Sequence, residues 1–125
     1  MVRGIGVDIM EIDRIRESIE QHGDTFLGRI FTEREIAYCN AKQNRFQHFA
    51  ARFAAKEAVS KALSTGWTGA FTWKDVEVDN DDLGKPRIAL HGKLRDSLPG
   101  CTVHVSISHD QTRVVAMALI EEVSM

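Results

Sequence analysis

The run Arg52-Phe53-Ala54-Ala55-Lys56-Glu57-Ala58-Val59-Ser60-Lys61-Ala62-Leu63 constrains this chain more than any other segment. It reads as most of a helix from about residue 45 to 63, and it sets a carboxylate in the helix's apolar stripe. At about 100° per residue, Glu57 falls between Phe46 and Ala50, with Phe53 one turn back and Lys61 one turn on. A carboxylate buried there without a partner must either stay protonated or carry a large desolvation cost. Something positive is therefore expected beside it. Lys61 can supply an i,i+4 ion pair, worth about 0.2–0.5 kcal/mol at an exposed site. A metal ion is the other candidate.

The N-terminus bears on that choice. Residues 1–10 alternate as a strand does, with Ile5, Val7 and Ile9 on one face and Gly4, Gly6 and Asp8 on the other. Two glycines beside a carboxylate leave room for a ligand or a neighbouring backbone to come close. Asp8 on a strand and Glu57 on a helix are hard oxygen donors, of the kind that hold Mg²⁺ while substrate phosphates complete its shell.

The remaining patterns describe one small α+β domain spanning residues 1–125. A chain 43% hydrophobic at this length has a real but small core and gains from oligomerisation. Ile12, Ile15 and Ile19 recur at helical spacing up to Gly23, which is expected to close a short helix whose outer face mixes Arg14 and Arg16 with acidic residues. Thr32 and Glu35 form a capping box, flanked by Phe31 and Ile36 as a hydrophobic staple, so a helix over about 32–40 is predicted. After the long helix come strands at 72–78 and 86–91, joined by Asp79-Asn80-Asp81-Asp82-Leu83-Gly84. That turn resembles half a calcium loop, but Leu83 stands at a ligand position and the closing Glu is missing, so it reads as a hairpin. A short helical piece near 93–98 precedes paired strands at 101–109 and 113–120, the last of which, Val114 to Ile120, reads as buried on both faces.

Several classes of function fall away. A formal charge of −2 gives no reason to bind nucleic acid. No apolar run approaches bilayer length and no signal-peptide pattern opens the chain. Cys39 and Cys101 lack metal-binding or redox spacing, so reduced thiols in a cytoplasmic protein are expected. Ser106, Ser108, His109 and Asp110 do not make a serine triad, because consecutive strand residues point to opposite faces and no G-x-S-x-G elbow is present.

Taken in order, Gly4-Ile5-Gly6-Val7-Asp8-Ile9 with Glu11 and Arg14-Ile15, Phe31-Thr32-Glu33-Arg34-Glu35, Arg52 to Leu63 followed by Thr65-Gly66, Gly84-Lys85-Pro86, and Val103-His104-Val105-Ser106-Ile107-Ser108-His109-Asp110 carry a resemblance. Over about residues 3–121 the chain resembles the holo-[acyl carrier protein] synthases, the small bacterial type of 4′-phosphopantetheinyl transferase. The resemblance implies an antiparallel sheet packed on a long helix, and a homotrimer with active sites shared between neighbouring subunits. It implies coenzyme A as substrate and the serine of an apo acyl carrier protein as acceptor. Asp8 and Glu57 would bind Mg²⁺ against the coenzyme A pyrophosphate, and Lys61 would neutralise charge on the departing 3′,5′-ADP. Arg52 and His109 would hold the 3′-phosphate, Lys85-Pro86 would line the adenine, and the Thr65-Gly66 turn would offer backbone N–H groups to phosphate.

Each of these residues also has a plainer reading. Arg52 points well away from Glu57 and reads as a solvated surface arginine, His109 as a polar cap on a strand, and Lys85-Pro86 as turn chemistry. Arg14 on the first helix is the candidate contact for an acidic carrier protein. That helix departs from the family pattern, since its acidic residues outnumber Arg14 and Arg16, and Ser64 stands where a glycine is common. Two rival functions are a metal-dependent nucleotide phosphohydrolase and a non-catalytic module that binds an acidic partner. The set Asp8, Glu57 and Lys61 speaks against the module, which needs no such group.

Overall fold

The structure, a computed structural model, describes residues 1–63 and 71–123. Strand β1 (Val2–Glu11) runs directly into α1 (Ile12–Ile30), followed by α2 (Glu33–Asn40) and α3 (Arg45–Leu63). A 3₁₀ turn (Trp73–Asp75) leads to β2 (Val76–Asn80), β3 (Pro86–Leu90), α4 (Gly92–Ser97), β4 (Cys101–His109) and β5 (Arg113–Glu122). The strands form two antiparallel sheets, one ordered β1-β5-β4 and the other the β2-β3 hairpin, which gives the expected α+β class.

How close α3 lies to the sheet decides the rest. A Cβ added at Gly4 would stand 2.0 Å from the Ala62 carbonyl oxygen, and one at Gly6 would stand 2.0 Å from that of Ala58. The space beside the glycines is thus filled by the backbone of α3. Small residues on both surfaces permit it: Ala58 and Ala62 on the helix face Gly6, Ala116 and Ala118 on the sheet, all buried. The glycine side of β1 is therefore the inner side. Ile5, Val7 and Ile9 point outward and are 61%, 55% and 62% exposed.

Strand β5 follows the same alternation. Val114, Ala116, Ala118 and Ile120 are buried against α3, whereas Val115 and Met117 lie on the outer face beside Ile9 and Val7. The expectation that this strand is buried on both faces is corrected: its apolar outer residues form an exposed patch with those of β1. An uninterrupted apolar run cannot reveal which of its two faces the helix covers.

Other expectations hold with adjustments. Gly23 does break α1, at φ 50° and ψ −127°, but the helix resumes beyond it to Ile30 because Leu27 and Ile30 are drawn into the core. Thr32 caps α2 as a capping box, its hydroxyl accepting from the Glu35 N–H at 3.2 Å while its own N–H donates to Glu35 Oε1 at 2.9 Å. The strand expected from residue 72 starts only at Val76, since Trp73 turns in to stack on Phe53 at 5.3 Å between ring centroids.

The largest surprise is a buried ion pair. Lys56 and Glu35 meet at 2.8 Å with both side chains fully excluded from solvent. The Lys56 ammonium also donates to the Trp73 carbonyl at 3.0 Å, and Glu35 Oε2 accepts from the Val78 N–H at 2.8 Å. Burial pushes Lys56 below the usual lysine range, against the pull of Glu35. This network clamps α3 to the start of α2, to β2 and to the 3₁₀ turn, which fixes the rotation of α3 about its own axis.

Candidate active site

With Lys56 directed into the core, the next residue, Glu57, turns toward the edge of the sheet where Asp8 lies. Glu57 is only partly buried, so the sequence reading of a carboxylate sunk in an apolar stripe is corrected: the fully buried charge on α3 is Lys56. Burial pushes the Glu57 carboxyl above its usual range, the nearby charge of Asp8 raises it further, and Lys61 opposes both. The two carboxylates are thus close enough to repel. Lys61 extends its ammonium to Asp8 Oδ1 at 2.9 Å and to the Val7 carbonyl at 3.1 Å. Asp8 Oδ2 is buried and has no hydrogen-bond partner among the described residues.

These three side chains meet because β1 and α3 pack backbone to backbone. Asp8 follows Gly6 by two residues on the inner face, so the contact that excludes a side chain at Gly6 also delivers the Asp8 carboxylate to α3. An orphaned carboxylate oxygen and a second carboxylate with a raised pKa form an oxygen donor pair suited to a divalent cation, and the Lys61 ammonium supplies positive charge beside it. Among the described residues no group of three or more His, Cys, Asp and Glu converges. A pair fits Mg²⁺ better than a closed cage, since that ion keeps most of its shell for water and substrate oxygens.

The other expected residues lie elsewhere. Arg52 is only 4% exposed, so it is not a solvated surface arginine. Its guanidinium carbon sits 4.1 Å from the Tyr38 ring centroid, and Nη2 donates to Asn80 Oδ1 at 2.8 Å. Lys85 ends the β2–β3 turn and Pro86 opens β3; in that turn Asp81 Oδ1 accepts from the Leu83 and Lys85 N–H groups at 2.9 and 2.8 Å. His109 ends β4 and contacts the Gln47 amide through Nδ1. Arg14 is exposed on α1. Thr65 and Gly66 fall outside the described residues. Asp110 caps its own turn through the Thr112 and Arg113 N–H groups at 2.9 and 2.7 Å.

A cleft of about 690 Å³ opens beside His109 and is lined by Ile12, Arg16, Arg45, Phe46 and Gln47 among others. Nearby, burial pushes His48 below the usual histidine range, and the charges of Arg52, Lys42 and His109 lower it further. This cationic region was not singled out from the sequence, although a signal was there. Residues 36–56 hold Lys42, Arg45, His48, Arg52 and Lys56 and no Asp or Glu. Asn80 was also missed, because nothing about an asparagine in an acidic turn marks it as the partner of a distant arginine.

A family model described as the 4′-phosphopantetheinyl transferase superfamily matches residues 4–118 of the chain. The holo-[acyl-carrier-protein] synthase of Koribacter versatilis is 46% identical over 98% of this chain and 100% of its own length. The crystal structure of the Neisseria meningitidis holo-[acyl-carrier-protein] synthase superposes with a TM-score of 0.85 at 33% identity, covering 97% of this chain and 99% of that one. A Bacillus anthracis holo-(acyl-carrier-protein) synthase, solved in complex with CoA (3′,5′-ADP), superposes with a TM-score of 0.82 at 37% identity over 98% of this chain and 99% of that one.

Proposed function

The chain belongs to the 4′-phosphopantetheinyl transferase superfamily, and from that premise we infer that it is a holo-[acyl-carrier-protein] synthase. It transfers 4′-phosphopantetheine from coenzyme A to a serine of apo acyl carrier protein. The serine oxygen forms a new bond to the β-phosphorus, the pyrophosphate bridge breaks, and adenosine 3′,5′-bisphosphate leaves. The observation that carries this reading is the convergence of Asp8, Glu57 and Lys61, with Asp8 Oδ2 unpaired among the described residues.

Asp8 and Glu57 are the residues that would hold Mg²⁺, which when bound draws charge from the pyrophosphate and lets an anionic substrate approach two carboxylates. Lys61, 53% exposed at its side chain and anchored to Asp8, stands ready to offset the charge that develops on the departing bisphosphate. Either Glu57 or a water molecule at the site would receive the serine proton. Much of the rate then comes from orientation of the two phosphoryl oxygens and the incoming hydroxyl.

The nucleotide end is assigned to Lys85-Pro86, His109 and Thr65-Gly66, with Arg52 contributing to the same end. Arg16 and Arg45, which line the cleft beside His109, support that assignment, since they offer positive charge there. Arg14, exposed on α1, is the proposed contact for the acidic carrier protein. The chain acts as one domain over residues 1–125 and assembles as a homotrimer. The exposed apolar outer face of β1 and β5 favours self-association. Among the described residues no helix is long and apolar enough to cross a membrane, and we assign the enzyme to the cytoplasm.

The test is incubation with coenzyme A, Mg²⁺ and apo carrier protein, followed by intact-mass measurement of the carrier. Wild type adds one phosphopantetheine. Asp8→Ala and Glu57→Ala stay folded and lose the transfer at all but high Mg²⁺. Full activity of both variants at low micromolar Mg²⁺ overturns the assignment, and phosphate release without carrier modification points to a phosphohydrolase.

A further inference from the structure

We propose that Lys61 makes metal binding depend on substrate: in the free protein its ammonium takes the place of a cation beside Asp8 and weakens metal binding, and it moves to the pyrophosphate when coenzyme A arrives. The proposal rests on the transferase reading and deepens it. One carboxylate is shared in an unequal way. Asp8 Oδ1 accepts from the Lys61 ammonium at 2.9 Å, whereas Oδ2 is buried with no partner among the described residues. The Asp8 side chain is 13% exposed and that of Lys61 53%, so of the two it is the ammonium that can swing away.

Charge decides what that contact does. Asp8, Glu57 and Lys61 together leave one net negative charge, little to attract a divalent cation out of water. The hydrogen bond to Asp8 holds Lys61 above the usual lysine range, so the opposing charge is present at neutral pH. Repulsion between like charges a few Å apart at a solvated site is worth roughly a tenfold change in affinity. The pyrophosphate of coenzyme A is anionic on both phosphorus centres. With it in place the ammonium has another oxygen to pair with, as a compact charge on a flexible stem can, and ceases to compete for Asp8.

A merely structural Lys61 makes the opposite prediction for the free protein. If its contacts with Asp8 and the Val7 carbonyl served only to place the carboxylate, removing it would weaken metal binding. As a competitor, its removal strengthens that binding. By reciprocity, whatever factor coenzyme A adds to metal affinity, the metal adds to coenzyme A affinity.

The experiment titrates Mn²⁺, read by the electron paramagnetic resonance of the unbound ion, into wild type, Lys61→Met, Lys61→Arg and Asp8→Asn. Each is measured without and with saturating coenzyme A, carrier protein being absent and the Mn²⁺ held by coenzyme A alone being subtracted. Lys61→Met is expected to bind Mn²⁺ roughly tenfold tighter than wild type in the free state, and to gain roughly tenfold less from coenzyme A than wild type does. Lys61→Arg keeps the charge and is expected to behave as wild type, and Asp8→Asn to lose the binding in both conditions. A folded Lys61→Met protein that binds Mn²⁺ no tighter than wild type in the free state overturns the proposal, and Lys61→Gln decides the matter if Lys61→Met fails to fold. A wild type that binds coenzyme A with no gain in Mn²⁺ affinity also overturns it. The free-state comparison needs no substrate, so tighter binding by Lys61→Met beside a wild type that never modifies a carrier would remove the transferase reading and still support the competition at Asp8.

Discussion

Replacing Gly6 by alanine tests the contact on which the site depends. The new Cβ would stand 2.0 Å from the Ala58 carbonyl oxygen, 2.7 Å from the Ala62 nitrogen and 3.0 Å from the Ala58 carbonyl carbon. All three are backbone atoms of a helix, so no side chain can swing aside. Relief requires strand and helix to part by more than about 1 Å in a region packed at crystal density. Overpacking of this kind costs about 1–3 kcal/mol, and the rigid neighbours place Gly6→Ala near 3 kcal/mol. For a domain of this size that lowers Tm by about 10–15 °C. The same movement carries Asp8 away from Glu57, so the Mg²⁺ concentration for half-maximal transfer should rise together with the instability. Gly28→Ala is the control. A Cβ there meets nothing within 4 Å, and removing a glycine from a helix gains about 0.5–1 kcal/mol. Denaturant unfolding followed by circular dichroism, with Mg²⁺ titrations of transfer, reads both effects. A Gly6→Ala protein within about 0.5 kcal/mol of wild type, with an unchanged Mg²⁺ requirement, would refute the reasoning.

Three further outcomes are expected. Because the folded state raises the Glu57 pKa above its ordinary 4.5, the metal-free protein binds the extra proton in the window just above that value and loses stability as pH rises through it; Mg²⁺ needs the ionised form, so its half-saturating concentration should climb as pH falls through the same window, with no such slope in Glu57→Gln. Lys56→Met leaves Glu35 buried and unpaired and should cost about 3–5 kcal/mol in denaturant unfolding, part of which returns in Lys56→Met/Glu35→Gln; a single variant as stable as wild type would show that the pair is not buried as described. The KM for carrier protein should rise with salt and rise less steeply in Arg14→Glu, since exposed charges are screened within about 8 Å at physiological ionic strength; identical flat curves would remove α1 from the docking surface.

What could be read in the sequence was local or had only one interpretation. The capping box at Thr32 and Glu35 is a matter of four residues, and the Asp81 turn of five, so neither needed the tertiary fold. The strand alternation of β1 separated Gly4, Gly6 and Asp8 from Ile5, Val7 and Ile9 correctly. It could not tell that the glycine side faces the core, because hydrophobicity alone argues for the opposite. The helical wheel failed on α3 for a related reason. Apolar residues surround that helix on nearly every side, so no single stripe marks its inner face, and the charge beside Glu57 proved to be the one in the core. Asp8, Glu57 and Lys61 were legible as chemistry before they were legible as neighbours. Asn80 was legible as neither, since its partner lies 28 residues away and on another element.

The pairing of β1 with β5 has a temporal consequence. Strand β1 finds its hydrogen-bonding partner only in residues 113–122, with Asp8 opposite Ala116. Until then the Asp8 carboxylate has no fixed address, and a chain interrupted upstream of β5 carries all three charged groups without an assembled site. Contacts so distant in sequence slow folding, so the docking of β5 should time the appearance of activity. The same closure brings the ends together: the Met1 amino group donates to the Glu122 carbonyl at 2.9 Å, and the Glu122 N–H donates back to Met1 at 2.8 Å. A circular permutant that joins these ends and opens at Leu83, 95% exposed at the hairpin tip, would place β5 and β1 consecutively in the chain and allow Asp8 to be set early.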